Sequence, residues 1–246
     1  MTALPAWSVT STARVSLRDG RLTWASAPPV VLRRTGSRRL HVVAVGGGPL
    51  GGDHLRLELE LGPGERLAVA TAAATVVQPG RVPDDEASFE VVARLAEGAA
   101  LDWRPEPTVL CDGAVWSPTF RLEAAEGARA RVVEQLVLGR SGQRGGRCAS
   151  TLRAIYAGRT LLATTTMLDG ADPALSGIGG TGGARSSGSV LVVGPGAETG
   201  EVPGGDEDDV VWACSGLEGP ASLLTAVGSI RGVGRVLARG GQRSVA

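Results

Sequence analysis

Two histidines, three cysteines and one glycine-rich corner are the parts of this chain whose residue types could do chemistry. His54 follows Asp53 and Asp112 follows Cys111, so each pair sets two metal-ligating types side by side. Neighbours on a strand point to opposite faces, however, so neither pair is a ligand set by itself. The sequence has no H-E-x-x-H and no Cys/His cluster. Gly46, Gly48 and Gly51 match G-x-G-x-x-G, a spacing that cradles pyrophosphate when a helix starts directly after it. Here Asp53-His54-Leu55-Arg56-Leu57-Glu58-Leu59 follows, alternating with the period of a strand. Pro49 also removes one N–H from the loop, and no G-K-[ST] follows. A nucleotide enzyme is therefore disfavoured, and the glycines read as a sharp connection between strands.

Nucleophilic catalysis has as little support. There is no G-x-S-x-G, and any Ser-His or Cys-His arrangement would have to use His41 or His54. The acidic runs Asp84-Asp85-Glu86 and Asp206-Glu207-Asp208-Asp209 read as solvated loop charge. Nothing selects a catalytic pair of carboxylates, so the chain reads as a non-enzyme.

The elements that would position these residues are strands. Five segments alternate polar and apolar residues on both sides of a short turn, with glycines at Gly20, Gly64, Gly98, Gly127 and Gly158. The last four recur at roughly 30-residue intervals, a weak self-similarity in the range of repeat architectures. Leu55, Leu57, Leu59 and Leu61 share one face, as do Phe89, Val91, Ala93 and Leu95. Such segments read as antiparallel hairpins, because glycine reaches positive φ without steric cost. Covering their apolar faces needs a second layer, so the expected fold is mainly β: stacked antiparallel sheets or a flattened β-solenoid-like scaffold. Loops are expected near 77–88, 176–189 and 194–209. Leu223, Leu224, Val227, Ile230, Val233 and Leu237 follow helical spacing and predict a C-terminal helix, with Arg231, Arg235 and Arg239 along it.

Composition narrows the class further. Lys plus Arg equals Asp plus Glu at 25 each, and every basic side chain is arginine. A formally neutral chain gives no broad attraction to nucleic acid or to anionic membrane. Three widely spaced cysteines without C-x-x-C read as reduced thiols, and no apolar run reaches the roughly 20 residues of a membrane span. The expected location is the cytoplasm. In Leu101–Trp116, Pro105 and Pro107 fix a donor-poor segment suited to a sheet edge or rim, flanked by Trp103 and Trp116, which read as core residues.

Several stretches in order resemble one family, the urease accessory proteins UreD, also called UreH. They are Gly48-Pro49-Leu50-Gly51-Gly52-Asp53, Thr71-Ala72-Ala73-Ala74-Thr75, the run from Arg104 to Ala114, and Leu138-Gly139-Arg140 with Ser141-Gly142-Gln143. The resemblance covers about Arg14 to Met167. Ala72, Val76, Gln78, Cys111 and Gln143 stand where the family commonly has Gln, Lys, an aromatic, Phe and Glu, which marks a divergent member.

The resemblance implies one UreD-like β-rich domain over 1–246 without catalysis of its own. It implies binding to a UreF-like protein that recruits a UreG-like GTPase, and docking of that assembly on urease apoprotein. No tightly bound cofactor is implied, only nickel in transit to the urease active site. On that view Asp53, His54, Cys111 and Asp112 are the candidates for contact with nickel. Glu134 joins them, because its alternation places it with apolar Val132 and Leu136. The rival expectation is a β-rich binding module for an unrelated ligand or partner.

Overall fold

A computed structural model describes residues 8–177, 179–197, 204–207 and 209–240. Two sheets face each other. β1 (Thr10–Arg18) and β2 (Arg21–Ala25) start the first, and β3 (Val30–Gly36) and β4 (Arg39–Ala44) start the second. The chain then alternates between them. β5 (His54–Leu61), β8 (Glu86–Leu95) and β11 (Val115–Ala124) belong to the first sheet. Each crosses by a short turn to β6 (Arg66–Thr71), β9 (Ala100–Arg104) or β12 (Arg129–Leu138) in the second. Two short strands, β7 (Thr75–Val77) and β10 (Thr108–Leu110), resume the paths of β6 and β9. β13 (Arg147–Tyr156) and β14 (Arg159–Asp169) complete the first sheet. β15 (Ser186–Val193), β16 (Gly205–Glu207), β17 (Val210–Gly216) and β18 (Ala221–Gly228) extend the second, and α1 (Ile230–Arg239) follows.

β5, β8, β11 and β13 pair in parallel, as do β4, β6, β9 and β12. The middle of the molecule is therefore a flattened solenoid with antiparallel strands added at its margins. Hairpins occur only in part: β1–β2 and β13–β14 pair with each other across Gly20 and Gly158, as the alternation implies. The segments around Gly64, Gly98 and Gly127 do not. Their two arms lie in different sheets, because the turn folds the strand over the core instead of back beside itself. These glycines have φ of 66°, 66° and 73°. They stack: a Cβ at Gly98 would lie 3.8 Å from the Gly64 Cα, and one at Gly127 would lie 3.6 Å from the Gly98 nitrogen.

Four further expectations are corrected. Leu223, Leu224 and Val227 belong to β18, and the helix starts only at Ile230. An apolar run this short fits either period, and pairing of β18 with both β15 and β17 decides for strand. Ser186–Ser189 form the start of β15 rather than a loop. The reason is packing: α1 lies on that strand, with Val233 and Leu237 over Gly188, where small residues are required. The expected loop 194–209 contains β16, while 198–203 and 208, like 178 in the loop before it, lie outside the described residues. Residues 86–88 of the expected loop 77–88 begin β8, and Val77 ends β7.

The expected inward faces are filled by burial. Leu57 and Leu59 are fully buried, with Leu55 and Leu61 nearly so. Each such leucine contributes roughly 1.5–3 kcal/mol through apolar area removed from water. Ser229 caps α1 by accepting from the Gly232 N–H at 2.9 Å. At the other end buried Arg131 donates to the carbonyls of Leu237 (2.6 Å) and Gly240 (2.7 Å), answering the open C-terminal acceptors.

Candidate functional site

Along β12 the inward residues are Ala130, Val132, Glu134, Leu136 and Leu138. Ala130 and Val132 join a large apolar cluster that includes Leu57, Leu59, Leu101 and Phe120. Leu136 and Leu138 join a smaller one with Val77, Leu110, Trp116 and Cys148. Glu134 stands in the layer between the two.

Strand breaks thin out that layer. β6 ends at Thr71 and β7 begins at Thr75; β9 ends at Arg104 and β10 begins at Thr108. β12 pairs with β9 as far as Val132 and with β10 from Leu136, so Val133, Glu134 and Gln135 have no ladder partner on that side. The two bends hold each other, Thr75 N–H donating to the Pro107 carbonyl (3.0 Å) and Glu106 N–H to Thr71 Oγ1 (2.8 Å). Pro105 and Pro107 thus mark an interruption inside the second sheet, not its edge. In the first sheet Pro118 lacks an N–H, and the β11–β13 ladder skips from Trp116–Cys148 to Thr119–Thr151.

The space left is a cavity of about 80 Å³, walled by Phe89, Trp103, Trp116 and Phe120 and made polar by Glu134, Ser150 and Ser189. Ser150 donates its hydroxyl to the Glu134 carboxylate at 2.6 Å. Burial raises the pKa of Glu134 above the usual carboxylate range, and the Ser150 bond opposes that shift. Burial, with a smaller contribution from the charge of Glu134, holds the Cys148 thiol protonated. A larger, open pocket of about 590 Å³ begins at the Gly46–Leu50 corner and shares Thr71, Thr75, Phe89 and Trp116 with the cavity. The pocket at that corner and the cavity around the half-buried Glu134 carboxylate are therefore neighbours with part of their walls in common.

The five residues singled out from the sequence are not brought together. Asp53 is buried, and its two oxygens accept from the Val9 N–H (3.0 Å) and the Leu50 N–H (2.9 Å), which pins the glycine corner. That corner needs glycine at position 51, where a Cβ would meet the Gly80 nitrogen at 2.5 Å. No helix follows it; β5 does. His54 is exposed on the outer face, its Nδ1 sharing a hydrogen bond with Ser88 Oγ at 2.8 Å. Cys111 is buried, while exposed Asp112 accepts from the Gly145 N–H at 2.7 Å and fixes the loop before β13. All three cysteines are free thiols. Among the described residues no three His, Cys, Asp or Glu side chains form a metal-holding group. Glu134 alone of the five has the geometry of a site inside the scaffold. Ser150 and Ser189 escaped the sequence reading, although Ser150 gives the same signal as Glu134: a polar residue at an inward position, between Cys148 and Leu152.

Comparison with known proteins gives one consistent match. A family model described as UreD urease accessory protein matches residues 19–241. A urease accessory protein UreD of Frankia alni is 39% identical over 204 residues, which cover 76% of this chain and 67% of that protein. One of Streptomyces coelicolor is 35% identical over 233 residues, covering 90% and 91%. One of Streptomyces avermitilis is 34% identical over 235 residues, covering 91% and 92%.

Proposed function

The chain belongs to the UreD urease accessory protein family, and from that premise we propose that it is a non-catalytic scaffold through which nickel travels toward the active site of urease. The observation that carries the proposal is Glu134, a carboxylate held between two apolar clusters in the layer where the second sheet is interrupted. Nickel(II) accepts carboxylate and other oxygen ligands. One carboxylate with the hydroxyls of Ser150 and Ser189 is too sparse a donor set for tight retention. It suits an ion in passage, here the cargo of the protein and not a resident cofactor.

Nickel reaches this layer by the pocket at the Gly46–Leu50 corner. Asp53 in the pocket wall and Asp112 in the neighbouring loop serve the path by holding its backbone in place; His54 and Cys111 have no part in the cavity. The protein works in the cytoplasm with UreF-like and UreG-like partners and with urease apoprotein. No helix among the described residues is long and apolar enough to cross a membrane. A clean deletion tests the function. Urease purified from the deletion strain is expected to be nickel-poor and inactive, with recovery on re-expression; full activity in the deletion contradicts the proposal.

A further inference from the structure

The outer faces of the two sheets treat arginine differently. On the first, five arginines of β1, β5, β8 and β11 are matched by glutamates: Arg14–Glu58 and Arg56–Glu58 (both 2.9 Å), Arg121–Glu90 (2.6 Å), Arg18–Glu60 (3.1 Å) and Arg94–Glu123 (3.3 Å). This leaves Arg21 and Arg153, on strands nearer its margins, without a carboxylate partner among the described residues. On the second, α1 packs over β12, β15, β17 and β18, and the face of β3, β4, β6 and β9 has no helix over it among the described residues. Its outward positions include Arg33, Arg39, Arg66 and Arg104. Arg33, Arg39 and Arg66 are exposed and have no carboxylate partner among the described residues. The acidic residue there, Asp102, is already taken by Arg104 (2.8 Å) and Arg131 (3.7 Å). From Gly20 to Gly52 the sequence has five arginines and no Asp or Glu, in a chain that is neutral as a whole.

The register places these groups around a low floor. Arg33 lies opposite His41, His41 opposite Ala70, and Ala70 opposite Arg104; in the next row Arg39 lies opposite Ala68 and Ala68 opposite Asp102. β4, β6, β9 and β12 are parallel, and faces of parallel strands are ordinarily covered by helices. α1 supplies that cover for one half of the face. We propose that the other half docks a helix of a partner protein lined with carboxylates, lying beside α1 over Ala68 and Ala70 with its acidic side chains on Arg33, Arg39, Arg66 and Arg104. The inference rests on the scaffold reading only in that the protein acts by assembling with others. Nucleic acid is the poorer fit, since a duplex binder engages about 6–10 phosphates and this face offers four arginines, one of them ion-paired.

The test places a benzophenone side chain at Ala70 of the full-length protein in cells that express urease and its accessory proteins. Illumination is expected to give an adduct whose cross-linked peptide is a helical segment rich in Asp and Glu. Arg33→Glu, Arg39→Glu and Arg66→Glu together should lower that adduct and the affinity for the captured protein about ten-fold or more, with wild-type association weakening as salt rises. Arg94→Glu, on the outer face of the first sheet, should leave both unchanged. If the triple reversal disturbs the fold, as circular dichroism would show, the milder Arg→Gln set gives the same comparison. An adduct with nucleic acid, with lipid or with a non-acidic segment, no adduct, or affinity indifferent to the charges would overturn the proposal. A captured acidic helix from a protein outside urease maturation would support the docking face and count against the function proposed above, so the two failures are distinguishable.

Discussion

Two layers of the same inter-sheet space are filled in opposite ways. Between the glycine turns and Val132, the strands β5, β6, β8, β9, β11 and β12 are unbroken and paired in register. The inward residues there are mainly Leu, Val and Ala with almost no exposure, joined by Trp103 and Phe120. One step along β12, at Glu134, β6 and β9 are both interrupted, Pro118 breaks the opposite ladder, and the apolar fill gives way to a carboxylate and two serines. The contrast teaches that a cavity in a β-scaffold is made by aligned defects. One strand break would be bridged by its neighbours; two in adjacent coils, braced by Thr75–Pro107 and Glu106–Thr71 hydrogen bonds, leave a gap that persists. The continuous layers supply the stability that the interrupted one does not.

Mutations can break this comparison. Leu59→Ala or Leu101→Ala in the continuous layers is expected to cost about 2–5 kcal/mol, as for other fully buried leucines. Urea or thermal unfolding reads it directly, and a cost below that of a surface substitution would mean that those layers are not the stabilising part. Gly98→Ala comes next. A non-glycine residue at φ near +66° is strained by about 1–2 kcal/mol, so the variant should unfold at lower denaturant without loss of partner binding.

The interrupted layer should respond in the other direction. The folded state raises the pKa of Glu134, so in the window above its ordinary value the folded protein holds a proton that the unfolded chain has released. That contribution is fully present below the unfolded pKa and is lost as pH rises through the folded one. Glu134→Gln is therefore expected to gain in stability relative to wild type as pH rises above the ordinary glutamate pKa of about 4.3. A difference that does not change with pH would show the carboxylate to be solvated. The smallest effect concerns the thiols. Half-buried Cys214 should react with iodoacetamide before Cys111 and Cys148, which are buried. Equal rates for the three would mean that the smaller apolar cluster opens readily.

How much of this was legible in the sequence differs between the layers in the same way. The inward faces of β5 and β8 follow from alternation alone, and burial bears them out from Leu55 to Leu61 and from Val91 to Leu95. The partner of each strand does not follow. Glu97-Gly98 closes a turn whether the next strand lies beside the last or across the core, and only packing of whole coils selects the second. At Leu223–Val227 the apolar spacing is too short to separate strand from helix, and neighbours in the sheet decide. Glu134 was legible as a polar residue in an apolar alternation. The cavity around it was not, because it depends on breaks at 72–74 and 105–107 and on Pro118, residues whose proximity exists only once the coils are stacked. Asp53 illustrates the converse: its place in a glycine-rich block drew attention to metal binding, while its carboxylate is occupied by two backbone N–H groups.

The central claim is that the interrupted layer carries nickel, and the direct measurement is the nickel content of urease matured in its presence. Cells limited in nickel would express urease with its accessory proteins and either wild type, Glu134→Gln or Glu134→Asp. Glu134→Gln is expected to fold and to co-purify with urease as wild type does, yet to leave the enzyme with several-fold less nickel and correspondingly low activity, with Glu134→Asp between the two. Urease loaded with nickel to the wild-type level by Glu134→Gln would contradict the account.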